Sequence, residues 1–274
     1  MRSMECKRYF LINHLSKIFV LLILFATSCK INPAGGQINM GIVTNITTVD
    51  LQTGTIFDNK NDTVIISKLG DIILYRKSIQ SIKYNKNAFK DGQIQVNNDP
   101  KMIESSAIFH RFYVYKKNQE TGKSYEFQDK AYVIKQFSVD TLLLDDPILR
   151  GGNADFDENS ILVSKSDIGN GFIRETYTYK PVPRENYPDT TFLTFDKNWK
   201  SRMDYTLSQN IDKVRGIKLV QVSSIFNVVP KNKSSLGVEI PNRIIDVKIF
   251  EPNLSKAELH EINQIYQKFK LETN

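Results

Sequence analysis

Only a few side chains in this sequence have the types and spacing that chemistry needs, and most stop short of a complete set. Two cysteines, Cys6 and Cys29, and three histidines, His14, His110 and His260, are all the thiol and imidazole groups in 274 residues. His260-Glu261-Ile262-Asn263-Gln264 begins like the zinc-protease pattern H-E-x-x-H, in which two histidines one helical turn apart share a face and hold Zn²⁺. Gln264 stands where the second histidine is needed, so the ligand count fails. Asn153-Ala154-Asp155-Phe156-Asp157-Glu158-Asn159 offers oxygens at alternate positions, as a loop around Ca²⁺ does, with Asp155, Asp157 and Asn159 as the candidate ligands. An EF-hand needs glycine at its sixth position and glutamate at its twelfth. Counted from Asp155 these are Ser160 and Ser166, and counted from Asn153 they are Glu158 and Ser164. The stretch is therefore read as a solvated acidic loop, and neither a metal nor a cofactor is expected.

Nucleophilic catalysis lacks parts as well. There is no G-x-S-x-G elbow, no P-loop and no dinucleotide-binding glycine pattern. Asp145 and Asp146 are adjacent, and neighbours in an extended chain point to opposite sides, so they make a poor acid–base pair. Aromatics carry more signal. Phe109, Tyr113 and Tyr115 share one face of a predicted strand and Phe112 the other, while Tyr125, Phe127, Tyr177 and Tyr179 repeat the every-second-residue spacing. On neighbouring strands Tyr113, Tyr115, Tyr177 and Tyr179 would form a platform for an acyl chain, a glycan ring or a peptide. The competing reading is ordinary cross-strand packing under a helix.

The elements that must position these residues read mainly as short strands. Thr63–Ser67 and Asp71–Tyr75 flank Leu69-Gly70, and Ile108–Lys117 and Lys123–Gln128 flank a loop that ends on Gly122, giving two hairpin candidates. Further strands are expected at Ala131–Val139, Phe172–Tyr179, Thr190–Phe195, Met203–Leu207 and Ile217–Val229, with Thr190–Phe195 and Met203–Leu207 forming a meander step across Asp196-Lys197-Asn198-Trp199. Residues 144–171 are rich in Asp, Gly, Asn and Ser and read as a long loop or a join between two sub-domains. The period changes near the C-terminus. Ser255-Lys256-Ala257-Glu258 is a capping box, and Leu259, Ile262, Tyr266 and Phe269, with Ile265 beside them, recur at helical spacing. The fold class expected is α+β: a mostly antiparallel sheet of meanders and hairpins with a C-terminal amphipathic helix packed on it.

The N-terminal stretch sets an address. Arg2, Lys7, Arg8 and Lys17 precede the apolar run Ile18–Ala26, which is followed by Thr27, Ser28 and Cys29. At about 1.5 Å per helical residue the run crosses roughly half of a ~30 Å hydrocarbon core, so it reads as the apolar region of a signal peptide and not a span. The segment resembles the signal peptide of bacterial lipoproteins, whose last four residues form a lipobox; Thr27, Ser28 and Cys29 fit, and Ala26 replaces the usual leucine. The resemblance implies a signal peptide over 1–28, a lipidated Cys29 with a flexible tether over 29–39, and an extracytoplasmic domain over 40–274. It also implies a bacterial envelope address in the periplasmic leaflet of the outer membrane, since Lys30 and not an aspartate follows the cysteine.

Removing that segment would discard four basic groups against one acid, Glu5, so the net charge of +7 belongs partly to the leader. A nucleic-acid partner is not expected without a dense basic stripe. Two functions of different class follow as expectations. The first is an anchored, non-enzymatic protein whose partners are the membrane, through its lipid, and a hydrophobic ligand, glycan or envelope protein. The alternative is a lipid-anchored hydrolase whose carboxylates, or His110 with a carboxylate and a serine, are brought together from afar.

Overall fold

Apolar residues at every second position, punctuated by turn residues, fold here into one large antiparallel sheet, seen in a computed structural model that describes residues 36–84, 89–90, 93–94, 103–128, 131–152, 154, 158–180 and 187–273. In chain order the elements are β1 (Ile38–Asp50), β2 (Thr55–Leu69), β3 (Ile72–Tyr84), β4 (Phe89–Lys90), β5 (Gln93–Ile94), β6 (Ile103–Lys116), β7 (Thr121–Gln128), β8 (Ala131–Ser138), α1 (Val139–Asp145), α2 (Pro147–Arg150), β9 (Ser160–Gly169), β10 (Phe172–Tyr179), β11 (Thr190–Asp196), α3 (Gln209–Arg215), β12 (Lys218–Phe226), β13 (Arg243–Phe250) and α4 (Lys256–Thr273). Eleven strands pair in the order β8-β7-β6-β3-β2-β1-β13-β12-β11-β10-β9, and β4 and β5 form a separate small hairpin. Apart from β8 and β9, which form the two edges, each main-sheet strand lies beside its neighbours in that sheet's chain order, and β13 returns to β1. This is the order of an up-and-down meander opened between β8 and β9, and α1 and α2 lie in the connection between those two edges.

The β2–β3 and β6–β7 hairpins form as expected. In the second, the left-handed residue is Asn118, at φ +68°. Gly122 instead lies inside β7 beneath the Phe137 ring, where a Cβ would come within 2.5 Å of that ring. Two other expectations are corrected, and two strands not expected from the sequence appear. Met203–Leu207 is not a strand, and β11 pairs with β12 and β10. The stretch 144–171 contains α2 and the edge strand β9. The segments 38–50 and 243–250, which carry no sharp alternation, are the two strands that join the halves of the sheet, pairing from Gly41↔Phe250 to Ile46↔Ile245. Ile38–Asn274 is a single compact unit. Its helices are few and mostly short, so the fold is dominated by the sheet.

Alternation puts a separate core on each face. One joins Met40 and Ile42 of β1, Ile66 of β2, Tyr75 of β3, Phe195 of β11 and Leu219 of β12 to Leu149 of α2 and Ile211 of α3. The other joins Ile65, Leu74, Phe112, Val114 and Tyr125 to Ile262, Ile265, Tyr266 and Phe269 of α4. The helix forms where the capping box places it. Glu258 N donates to Ser255 Oγ at 3.2 Å, and Ser255 N donates to Glu258 Oε2 at 2.8 Å. Its flanks are tied to the sheet by Arg76–Glu258 at 2.7 Å and by Tyr125 Oη donating to Glu272 Oε2 at 3.0 Å.

Candidate ligand-binding site

The face opposite α4 is crossed by a strap made of α2 and the following residues, paired with the segment 203–208. Pro147 suits the first helical position, because its missing N–H would be unpaired there in any case. Lys77 of β3 forms an ion pair with Asp146, pinning the α1–α2 junction to the sheet. Gly152 N donates to the Thr206 carbonyl at 2.7 Å and Ala154 N to that of Leu207 at 2.9 Å. Gly151 has φ +69°, and a Cβ there would meet the Thr206 carbonyl oxygen at 2.5 Å, so only glycine permits this approach.

The other half of the strap is held from α3. Ser208 caps that helix by accepting from Ile211 N at 3.1 Å, and Gly216 closes it in the left-handed conformation. Asp212 accepts from Thr206 Oγ1 at 2.6 Å, from Lys218 Nζ at 2.8 Å and from Leu219 N at 2.7 Å. Tyr205, 7% exposed, points into the centre, where its hydroxyl donates to the Ile148 carbonyl.

Two cavities flank Tyr205. The first, of about 210 Å³, is lined by Ile66, Ile73, Tyr75 and Tyr115 from the sheet and by Leu143, Leu149 and Met203 above it, with Lys68, Lys117, Arg150 and Asp204 around it. The second, of about 190 Å³, is almost wholly apolar: Ile148, Ala154, Leu207, Val222, Ile245 and Val247. In the first, the Tyr75 and Tyr115 rings stack at 6.0 Å with their hydroxyls 3.1 Å apart, and Tyr75 Oη donates to the Leu149 carbonyl at 3.4 Å. Burial pushes the Tyr75, Tyr115 and Tyr205 hydroxyls up from the usual phenol range. They therefore stay neutral and serve as hydrogen-bonding groups, not as bases.

The four tyrosines singled out from the sequence are not brought together. Six strands of the order lie between β6, which carries Tyr113 and Tyr115, and β10, which carries Tyr177 and Tyr179. Tyr115 lines the first cavity. The Tyr113 ring packs edge-on against Phe137 at 5.5 Å. Tyr177 donates to Glu175 Oε2 at 2.7 Å and accepts from Arg215 Nη2 at 2.9 Å. Tyr179 shares a hydrogen bond with Thr191 at 2.9 Å and packs near Tyr187. Burial alone would raise the Glu175 carboxyl, but Tyr177, Lys165 and Arg215 together hold it below its ordinary range. That cluster stitches the edge strand β9 and α3 onto β10.

Cys29, Asp155 and Asp157 lie outside the described residues. Asn159 accepts at its backbone carbonyl from Lys180 N at 3.0 Å. Among the described residues no three metal-ligating side chains cluster, and Gln264 Nε2 lies 2.9 Å from His260 Nε2. His110 does meet a carboxylate, with Nδ1 2.8 Å from Glu261 Oε2, and Arg76 binds both Glu258 and Glu261. The hydrogen bond from Arg76 and those from the Ser255 cap hold Glu258 at about 2, so at neutral pH it has no proton to give as a general acid. Among the described residues no hydroxyl is hydrogen-bonded to His110, and this group lines neither cavity.

Tyr75, Tyr205 and the strap escaped sequence reasoning. A local signal existed, since Ser208 and Gly216 bracket a short helix and Pro147 opens another, but nothing in one dimension places 147–154 against 203–208. No family model matches the chain, and no curated protein or solved structure is similar enough to it to count as a relative.

Proposed function

We propose that this protein is a bacterial envelope lipoprotein, tethered through Cys29, whose sheet binds an apolar ligand beneath the strap and catalyses no reaction. The observation that carries the binding reading is the pair of cavities on either side of Tyr205. At about 210 and 190 Å³ each is smaller than the roughly 300–1,000 Å³ of a typical ligand pocket, which suits a small ligand. Both open to solvent beside a strap held largely by backbone hydrogen bonds, and an apolar ligand seated there would cover their largely apolar walls. The anchor rests on the leader's charge, its apolar run and Thr27-Ser28-Cys29. The tether expected over 29–39 shortens to 29–37, because Ile38 and Asn39 already pair with β2 in β1; with Pro33, Gly35 and Gly36 it would hold the domain off the periplasmic leaflet of the outer membrane.

Binding is tested with N-phenyl-1-naphthylamine, a neutral dye that brightens in apolar sites, added to the full chain in phospholipid nanodiscs with empty nanodiscs subtracted. Val222→Trp and Ile73→Trp, which fill one cavity each, should reduce the signal without abolishing folding, as followed by circular dichroism. A signal that persists in the double variant would refute the site. The anchor is tested separately: Cys29→Ser should abolish incorporation of labelled palmitate, and unchanged labelling would refute it.

A further inference from the structure

The first cavity differs from the second in its charge, and that difference names a ligand class. Lys68 is already paired, its Nζ 2.8 Å from Asp204 Oδ2. Lys117 and Arg150 line the same cavity, are exposed, and make no side-chain ion pair among the described residues. The rim of this largely apolar chamber thus carries three cations against one carboxylate, Asp204, whose charge both Lys68 and Lys117 face. Inside, the polar groups are spent on one another. If Tyr75 donates to the Leu149 carbonyl, Tyr115 must donate to Tyr75, and neither hydroxyl keeps a proton for an incoming anion. A negative head group would find no donor at the base of the cavity and two cations at its mouth.

Resting on the binding reading above, we propose that this cavity takes a single-chain carboxylate amphiphile, chain inward against Ile66, Ile73, Leu149 and Met203, with its carboxylate at Lys117 and Arg150. The volume sets the chain length. About 210 Å³ has room for roughly seven groups of about 30 Å³ each, so a single medium-length chain fits with its last carbons in the open mouth. The guanidinium of Arg150 can grip a carboxylate with two parallel N–H donors, and Lys117 adds a point charge.

The test is equilibrium dialysis of radiolabelled decanoate against full-chain protein in nanodiscs, with decan-1-ol as the uncharged competitor of equal chain length. Decanoate should bind about tenfold more tightly than decan-1-ol, and high salt should narrow the gap, because the rim is exposed to screening. Lys117→Ala combined with Arg150→Ala should erase the preference while leaving decan-1-ol unchanged. Equal binding of acid and alcohol would overturn the head-group assignment, as would an undiminished preference in the double variant. If decanoate fails to bind while the naphthylamine dye still does, the inference falls and the broader reading stands; if both fail, both fall.

Discussion

Replacing Phe269 by alanine tests the architecture most directly, because the ring sits where helix and sheet meet. Phe269 is 1% exposed and belongs to the core formed by α4 with Phe112, Val114 and Tyr125. An aromatic side chain buries about 150–250 Å², which at about 25 cal/mol/Å² corresponds to ~4–6 kcal/mol. Alanine retains a methyl group, and the surrounding residues relax only partly into the cavity, so the expected loss is about 3–5 kcal/mol. In a urea titration with a slope of about 2–3 kcal/mol/M the midpoint should fall by roughly 1–2.5 M at unchanged slope. Ser255→Ala removes one cap and should cost about 1 kcal/mol. Lys256→Ala, on an exposed site, should stay within about 0.5 kcal/mol of the parent. Should Phe269→Ala behave like Lys256→Ala, α4 contributes nothing to the fold and the reasoning from its buried stripe is wrong.

Two further outcomes are expected. Glu258 is held at about 2 against an ordinary 4.5, so its contribution is present above about 4.5 and is lost as pH falls from there towards 2; urea midpoints of parent and Glu258→Gln should converge over that window, and a constant gap would refute the pairing. Gly151→Ala forces a left-handed alanine against the Thr206 carbonyl and should cost more than about 1 kcal/mol together with dye binding, whereas Gly70→Ala, with open space around it, should show the backbone cost but keep the binding.

Local patterns determined much of the architecture, because their causes are local. Ser255 and Glu258 satisfy each other's backbone three residues apart, so the start of α4 can be read without the fold, and the helical spacing of Ile262, Tyr266 and Phe269 identifies its buried face. Leu69-Gly70 fixes a hairpin for the same reason: its strands are neighbours in the chain. Met203–Leu207 misled because its apolar residues alternate as a strand's do, yet its backbone hydrogen bonds run to the strap beyond α2 and not to a neighbouring strand. Strand order, and with it the distance between Tyr115 and Tyr177, depends on the β1–β13 closure, which pairs residues some two hundred positions apart and leaves no short-range trace. Tyr115 is the one tyrosine singled out from the sequence that lines the candidate site, and the assembly of that site depends on the tertiary fold. Tyr75 comes from β3, Leu149 and Arg150 from α2, Lys117 from the β6–β7 turn and Tyr205 from the segment before α3, and no periodicity relates these segments to one another. They share a cavity only because Gly151 lets the strap approach Thr206 while the sheet beneath supplies an apolar floor.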